Sequence, residues 1–223
     1  MQTILVTGAN RGIGLALVRQ YLARGDRAIA VCRQGGAELQ ATSARIESGV
    51  DVTDDAALAA LASRLAGQRL DALWLNAGIL ARESLGSIDT AGFDSLRRQF
   101  EVNALGPLRV AQALLPLLDG GSKIAIVTSR MGSIGDNGSG GYYGYRASKA
   151  AVNAIGRSLA MDLAPRGIGV FLLHPGYVAT DMVGGHGDLT PTQAATQLVA
   201  QLDRLDLQRS GSFWHGNGSE LPW

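Results

Sequence analysis

The stretch T-I-L-V-T-G-A-N-R-G-I-G, residues Thr3–Gly14, decides the fold of this chain. Its first five residues are apolar or β-branched, which is typical of a buried parallel strand. A glycine-rich turn follows, and then L-A-L-V-R-Q-Y-L-A-R has the period of an amphipathic helix that Gly25 ends. In such a unit, backbone N–H groups and the helix N-terminus hold a phosphate. The stretch therefore predicts a dinucleotide-binding α/β fold, with an ordinary strand–helix connection as the alternative.

The three glycines of this turn have separate roles in a dinucleotide site. Gly8 allows the tight turn, Gly12 lets a pyrophosphate approach the backbone, and Gly14 lets the helix pack closely on the strand. Their spacing is T-G-x-x-x-G-x-G, which differs from the G-x-G-x-x-G of long-known dehydrogenases.

Segments typical of strands and helices alternate along the rest of the chain, which predicts a parallel sheet with helices on both faces. We expect a single-domain α/β Rossmann fold over residues 1–223 with a doubly wound, mostly parallel seven-stranded sheet. Its dinucleotide-binding part would cover residues 1–125, and its catalytic and substrate part residues 126–223. The predicted strands after the first are Arg27–Cys32, Arg45–Val50, Leu70–Leu75, Lys123–Thr128, Gly169–His174 and Ser210–His215.

Composition narrows the class of protein. Hydrophobic residues make up 46% of the chain and charged residues 17%, as expected for a buried α/β sheet. The net charge of +1 argues against nucleic acid as a partner. No apolar run is long enough to span a membrane, and no charged segment precedes the first strand, so we expect a cytoplasmic protein. The single Cys32 excludes an internal disulfide, and the His and Cys spacings match no metal motif.

Tyr145 and Lys149 in G-Y-Y-G-Y-R-A-S-K-A are the first candidate catalytic pair. Four residues apart on a helix, their side chains share one face. A nearby ammonium lowers the pKa of a phenol, which suits a general acid and base near neutral pH. An ordinary exposed helical pair is the alternative. Only Lys123 and Lys149 among the 20 basic residues are lysine, which favours a specific role for Lys149.

Asn103 stands out in a long predicted helix, Thr90–Leu118, which Gly106-Pro107 interrupts. Proline has no N–H for the carbonyl four residues earlier, and that carbonyl belongs to Asn103. The freed carbonyl could bind another group, and a simple helix bend is the alternative.

Together these motifs resemble the short-chain dehydrogenase/reductase family, in order, from Thr7 to about Thr180. The resemblance implies that Tyr145 exchanges a proton with the substrate oxygen. It implies that Lys149 lowers the pKa of Tyr145 and binds the nicotinamide ribose, that Ser129 fixes the carbonyl oxygen, and that the Asn103 carbonyl holds a water. Thr128 and Ser133 compete with Ser129 for its role, although Ser129 is the residue that aligns.

The cofactor that we expect is NADP(H) in preference to NAD(H). The second predicted strand ends at Cys32-Arg33 without a carboxylate for the ribose 2′-OH, and Arg11 lies in the glycine turn, so both arginines could hold a 2′-phosphate. The family assigns an adenine contact to Asp51, for which a helix N-cap is the alternative. The expected cofactor-binding residues are Gly8, Asn10, Arg11, Gly12, Ile13, Gly14, Arg33, Asp51, Val52, Asn76, Ala77, Gly78, Tyr145, Lys149, Pro175, Gly176, Val178 and Thr180.

Within the family, the chain most resembles the C-factor and sniffer-type carbonyl reductases, which implies NADPH-dependent reduction of an aldehyde or ketone. A weakly catalytic NADP-binding signalling protein of the C-factor type is the alternative. A sugar-nucleotide epimerase is a weaker one, because few residues follow Thr180. Met131, Tyr142 and Met182 indicate a hydrophobic small-molecule substrate, and the alternative is that these side chains plug the pocket. The family also implies a homodimer or homotetramer, formed through the long helices at residues 90–118 and 142–164.

Overall fold

Seven strands form one sheet in the computed structural model, which describes all of residues 1–223. Every neighbouring pair is parallel, in the order β3-β2-β1-β4-β5-β6-β7. The strands are β1 Thr3–Thr7, β2 Arg27–Val31, β3 Arg45–Glu47, β4 Leu70–Leu75, β5 Leu118–Val127, β6 Gly169–His174 and β7 Phe213–His215. The expectation of a doubly wound, seven-stranded α/β fold is confirmed, and the sheet is entirely parallel.

Seven α-helices connect the strands and cover the sheet. They are α1 Gly12–Ala23, α2 Ala37–Gln40, α3 Asp55–Arg64, α4 Thr90–Phe100, α5 Gly106–Leu114, α6 Tyr143–Leu163 and α7 Pro191–Arg204. Thr190 caps α7 with a reciprocal bond to Gln193, as the Thr-Pro start predicts. None of these helices is long and apolar enough to cross a membrane.

Alternate side chains of β1 enter two separate hydrophobic cores. Leu5 belongs to a cluster of 25 buried residues that includes parts of α3, α5 and α6. Ile4 and Val6 belong to a cluster of 23 buried residues that includes parts of α1 and α7. This division follows from the two-residue period of a strand, and it covers both faces of the sheet with helices.

The strand order reverses next to β1, which lies between β2 and β4. At such a switch point the connections leave toward opposite faces and open a crevice at the carboxyl ends of the strands. The glycine turn follows β1 at this edge, and Asn76 follows β4. The fold therefore brings the predicted motifs to one edge of the sheet.

Four strands, β2, β3, β5 and β7, differ from their predicted bounds. β2 ends one residue earlier than predicted, at Val31, and β7 begins three residues later, at Phe213. β3 stops at Glu47, because Gly49 adopts a left-handed φ of 77° just beyond it. β5 begins at Leu118, five residues before the predicted Lys123, and its pairing with β4 shifts register between Leu70 and Ala72. Gly120 and Gly121 lie inside the strand, where Gly121 has a left-handed φ of 91°.

The predicted Thr90–Leu118 helix is four segments, namely α4, a π-helical turn, α5 and a 3-10 turn at Leu115–Leu117, and Leu118 already belongs to β5. Between α4 and α5 lies a π-helical turn, Glu101–Leu105, in which the Gly106 N–H bonds to the Glu101 carbonyl five residues earlier. Pro107 has no N–H to donate to the carbonyl four residues earlier, which belongs to Asn103. The helix is therefore interrupted as predicted, and the interruption is the π-helical turn that precedes Pro107. Asn103 lies at the centre of this π turn.

Candidate active site

One cleft of about 1470 Å³ runs along the carboxyl ends of the strands. It extends from the glycine turn and α1 to the N-terminal turn of α6 and the segment after β6. All eighteen predicted cofactor-binding residues line this cleft, and so do Ser129, Tyr145 and Lys149. Asn103 is the one predicted site residue that does not line it.

The glycine turn has the shape and the free donors that a diphosphate requires. Gly8 and Gly12 have left-handed φ values of 66° and 55°, and a Cβ on Gly14 would lie 2.2 Å from the Gly8 carbonyl oxygen. The N–H groups of Gly12, Ile13 and Gly14, at the start of α1, have no hydrogen-bond partner in the protein. These donors lie at the positive end of a helix, so the turn fits the diphosphate of a dinucleotide.

Asn76 joins the ends of β1 and β4 beneath the cleft. Its side-chain Nδ2 donates to the carbonyls of Thr7, at 3.0 Å, and Gly8, at 3.3 Å. The Thr7 hydroxyl oxygen in turn accepts from the backbone N–H groups of Asn76 and Ala77. The segment Asn76–Gly78 therefore stabilises the glycine turn through these hydrogen bonds. No local sequence pattern predicts that Thr7 takes part in them.

Tyr145, Lys149 and Ser129 meet at the other end of the cleft and are all at most 8% exposed. The Lys149 Nζ lies 5.7 Å from the centre of the Tyr145 ring and donates to the Val127 carbonyl at 2.9 Å. Ser129 begins a short 3-10 turn, and its Oγ accepts from the Met131 N–H. The helical four-residue spacing thus brings the pair together with Ser129, which lies two residues beyond the end of β5.

The competing hydroxyls have structural roles. The Thr128 hydroxyl donates to the Asn153 side-chain oxygen at 2.7 Å inside the protein. Ser133 is buried away from the cleft, where its Oγ accepts from the Asp136 N–H. Ser129 is therefore the hydroxyl best placed to contact a substrate beside Tyr145.

The predicted effect of Lys149 on Tyr145 is not observed in the chain alone. Burial raises the pKa of the Tyr145 hydroxyl to about 12, and only the Ser129 hydroxyl acts in the opposite direction. Burial also lowers the pKa of the Lys149 ammonium, to about 8. Desolvation opposes the charged form of each group, and neither pKa shift has the other group among its causes. Tyr145 is thus held as a protonated acid.

Asn103 lies behind the catalytic pair and uses its side chain to bind two elements. Its Oδ1 accepts from the Ile79 N–H at 2.8 Å, while its Nδ2 donates to the Ile79 carbonyl and to Ser148 Oγ. A Cβ placed on Gly78 would lie 3.2 Å from Asn103 Oδ1 and 3.7 Å from Lys149 Nζ. The Asn103 side chain therefore fixes the segment after β4 against α6. The sequence predicted a role only for its main-chain carbonyl.

The end of the cleft beyond β2 is rich in arginine. Arg33 and Arg98 lie 3.9 and 3.6 Å from the Asp51 carboxylate. Partial burial acts to raise the pKa of Asp51, but hydrogen bonds from Thr53 and the two arginine charges lower it overall. Asp51 is not the N-cap of α3, since Asp54 accepts from the first helical N–H groups. The N-cap interpretation of Asp51 was therefore wrong, because its carboxylate binds Thr53 instead.

An ion pair joins the two sides of the cleft. Arg11 in the glycine turn donates to Asp181 at 2.9 Å, and Asp181 begins a short 3-10 turn in the segment after β6. Both side chains are exposed, so the pair is weak. The segment Tyr177–Leu189 is also joined to itself by a β-bridge between Val178 and Leu189.

A buried carboxylate that the sequence analysis missed supports the start of α6. Glu83 accepts from the Gln99 side chain and from the Gly144 N–H, and its own carbonyl accepts from the Tyr142 N–H. Gln99 also accepts from the Ala81 N–H at 2.9 Å. The network fixes the helical turn that carries Tyr145, and its only sequence signal is a Glu and a Gln in otherwise ordinary segments.

His174, at the end of β6, gives a pH-dependent stability. Its Nδ1 is buried without a hydrogen-bond partner, and burial with the nearby His215 lowers its pKa to about 3. The folded chain holds this imidazole neutral while the unfolded chain binds a proton, so stability is lost as pH falls from about 6.5 toward 3.

We expect the free energy of unfolding to fall by about 2 kcal/mol between pH 7 and pH 5 because of the protonation of His174 alone. Urea unfolding at both pH values measures the loss, which should shrink by that amount in His174→Gln. It should stay unchanged in His186→Gln, a loop histidine. An equal loss in His174→Gln and the native chain would contradict the assignment.

Comparison with known proteins agrees with this geometry. A model of the short chain dehydrogenase family matches residues 2–190. The chain is 47% identical to 1-hydroxy-2-glutathionyl-2-methyl-3-butene dehydrogenase of Rhodococcus sp. strain AD45, over all of both chains. It is 42% identical to C-signal of Myxococcus xanthus, over 74% of this chain and 99% of that protein.

Solved structures give the same result. NADPH-bound carbonyl reductase from chicken fatty liver superposes with a TM-score of 0.90 and 31% identity, covering 100% of this chain and 99% of that one. Carbonyl reductase Sniffer of D. melanogaster superposes with a TM-score of 0.91 and 31% identity, covering 100% of both. The resemblance drawn from the sequence motifs is confirmed.

Proposed function

This chain belongs to the short-chain dehydrogenase family, and from that premise we propose that it is an NADP(H)-dependent oxidoreductase that interconverts a carbonyl compound and its alcohol. The observation that carries this proposal is the convergence of Tyr145, Ser129 and Lys149 at one end of a dinucleotide-shaped cleft. The other end offers free N–H groups for a diphosphate and a cluster of arginines.

Tyr145, Ser129 and Lys149 each have a different role in proton transfer. Bound NADPH supplies the hydride for the carbonyl carbon. The Tyr145 hydroxyl, kept protonated by burial, donates its proton to the carbonyl oxygen, while the Ser129 hydroxyl donates a hydrogen bond to that same oxygen. Lys149, fixed by the Val127 carbonyl, places a cation beside the phenolate that forms and opposes its high pKa.

The preference for NADP(H) rests on Arg11 and Arg33, which line the cleft on either side of the β2 end. No carboxylate follows β2 directly to bind a ribose 2′-OH. Asp51 lies 3.9 Å from Arg33 but is shared with Arg98, so positive charge is in excess at this end. A 2′-phosphate would complement that charge.

A second candidate is the reverse reaction on a thioether-bearing alcohol. The relative that is 47% identical over its full length is a dehydrogenase whose named substrate carries a glutathionyl group. The same Tyr145 would then accept the alcohol proton. The likeness to C-signal motivates a signalling role with little catalysis, but such a role would not require the buried Ser129, Tyr145 and Lys149.

A panel of carbonyl substrates tests the proposal. The reduction of aldehydes, ketones and quinones is assayed with NADPH or NADH. The oxidation of alcohols, including a 2-hydroxyalkyl glutathione, is assayed with NADP⁺ or NAD⁺. Nicotinamide absorbance measures the rate in both directions. We expect turnover with at least one carbonyl–alcohol pair, and faster turnover with the phosphorylated cofactor. NADPH binding without turnover of any member would favour the signalling role. Homodimer or homotetramer formation through α4, α5 and α6 stays a prediction.

A further inference from the structure

The outer part of the cleft, beyond Ser129 and Tyr145, is lined by three arginines: Arg82, Arg130 and Arg146. Arg130 forms a two-contact ion pair with Asp136. Arg82 and Arg146 have no carboxylate within ion-pair distance. Unlike Arg130, they are therefore available to an anionic group that enters the cleft.

Among the charged residues that line the cleft, Arg82 and Arg146 differ from the other arginines because they have no carboxylate partner. Each cleft-lining carboxylate already has an arginine partner: Asp181 with Arg11, Glu38 with Arg19, Asp51 with Arg33 and Arg98, and Asp136 with Arg130. The cleft-lining cations left without a carboxylate are Arg82, Arg146 and the catalytic Lys149. Two of these three have no part in proton transfer, so their charge is available for substrate binding.

Arg82 is oriented without using its hydrogen-bond donors. Its guanidinium lies over the Tyr142 ring, 5.6 Å from the ring centre, and makes no hydrogen bond within the protein. A guanidinium placed over a ring uses its face, which leaves its five N–H donors directed outward in the plane. That arrangement suits a planar, two-oxygen acceptor.

Tyr142 is held in a strained backbone conformation to support this arrangement. It is the one non-glycine residue with a positive φ, 52°, and its N–H donates to the Glu83 carbonyl. A left-handed conformation costs a side-chain-bearing residue about 1–2 kcal/mol. Strain of this kind is concentrated at ligand-binding positions, and here it places the ring between Arg82 and the first turn of α6.

Arg146 is fixed on the same turn of α6, one residue after Tyr145. Its guanidinium donates to Ser139 Oγ at 2.8 Å and, more weakly, to the carbonyls of Gly140 and Met131. All three partners are neutral, and two of the five N–H donors stay free. Apolar Met131 and Met182 line the cleft as well.

We propose that Arg82 and Arg146 are specificity-determining residues that bind a carboxylate of the substrate, whose carbonyl or alcohol oxygen meets Tyr145 across an apolar linking segment. This inference rests on the proposed function and names its substrate class: an apolar carbonyl or alcohol compound that carries a remote carboxylate. A charge-assisted, two-contact Arg–carboxylate interaction is the strongest that these side chains offer.

Matched acids and esters test the inference. Linear ω-oxo carboxylates of increasing length are compared with their methyl esters in the native enzyme, in Arg82→Gln/Arg146→Gln and in Arg97→Gln. The last is a control arginine on α4 that pairs with Asp94 outside the cleft. We expect kcat/KM for one chain length to favour the acid at least about ten-fold, mainly through KM, and added salt to reduce that preference.

The double variant should lose at least about ten-fold of the acid-to-ester ratio, while Arg97→Gln retains it. Replacement of both residues by lysine should restore part of the ratio, since the charge returns without the planar fork. NADPH affinity and circular dichroism verify that each variant is folded.

Binding separates a failure of this inference from a failure of the proposed function. Calorimetry measures the affinity of the matched ω-hydroxy acids and esters for the enzyme with NADP⁺ bound, and it requires no turnover. Tighter binding of the acid that the double variant loses supports the arginine site, whatever the turnover. Equal binding of acid and ester at every length, or a preference that survives in the double variant, overturns it even if both are turned over.

Discussion

Replacing Tyr145 with phenylalanine should lower kcat for carbonyl reduction about a thousand-fold, because a positioned general acid contributes roughly 10²–10⁴ to such a rate. The phenylalanine ring fills the same buried space but has no proton to donate. Tyr145 is 8% exposed, and the one side chain that acts on its hydroxyl by hydrogen bonding is Ser129, which is not an acid, so another acid cannot replace it readily.

Steady-state turnover and calorimetric NADPH binding measure the two halves of this prediction. The affinity for NADPH should stay within about three-fold, since the groups proposed to hold the diphosphate and the 2′-phosphate lie at the opposite end of the cleft. Tyr143→Phe is the matched control, because Tyr143 lies on the same helical turn and is exposed. Turnover retained in Tyr145→Phe would show that the proton comes from elsewhere.

The second large effect concerns the cofactor. Changing Arg11 and Arg33 together to glutamine should weaken NADPH about a hundred-fold, since a hydrogen bond to a charged group contributes about 1.5–3 kcal/mol. NADH has no 2′-phosphate, so its affinity should change only about three-fold or less. The selectivity for NADPH should then largely disappear.

The single variants should differ in a way that the structure explains. Arg11 already pairs with Asp181 at 2.9 Å, whereas Arg33 lies 3.9 Å from an Asp51 that it shares with Arg98. Arg33→Gln should therefore account for more of the loss than Arg11→Gln. Fluorescence titration with both cofactors measures each effect, with Arg97→Gln as control. Equal weakening of NADPH and NADH, or a native preference for NADH, would contradict the assignment.

Local sequence patterns predicted the strands and turns that depend on residues close together in the chain. β4 and β6 have the predicted bounds, because buried parallel strands are continuous apolar runs. The glycine turn, the Asn103 break and the Tyr145–Lys149 pair also depend on short spacings. In contrast, the Gly120-Gly121 segment of β5 has no such pattern, and contacts with distant residues hold it: the Gly121 N–H donates to the Gly167 carbonyl, and Arg69 donates to the Gly120 carbonyl.

Contacts between distant parts of the chain could not be predicted in the same way. Arg11 meets Asp181 across 170 positions, Asn76 is bound to Thr7 across 69, and Gly144 to Glu83 across 61. Each partner is an ordinary residue in its own segment. The pKa of Tyr145 is a similar case, because the four-residue spacing indicates a nearby ammonium but says nothing of the burial that dominates.

The central claim is that hydride reaches a carbonyl carbon in the cleft while Tyr145 supplies the proton. Its most direct test uses NADPH deuterated at both C4 positions with the best substrate of the panel, followed by mass spectrometry of the alcohol. We predict one deuterium on the carbinol carbon of the product made by the native enzyme, and almost no product from Tyr145→Phe. Unlabelled alcohol, or loss of NADPH without alcohol, would contradict the account.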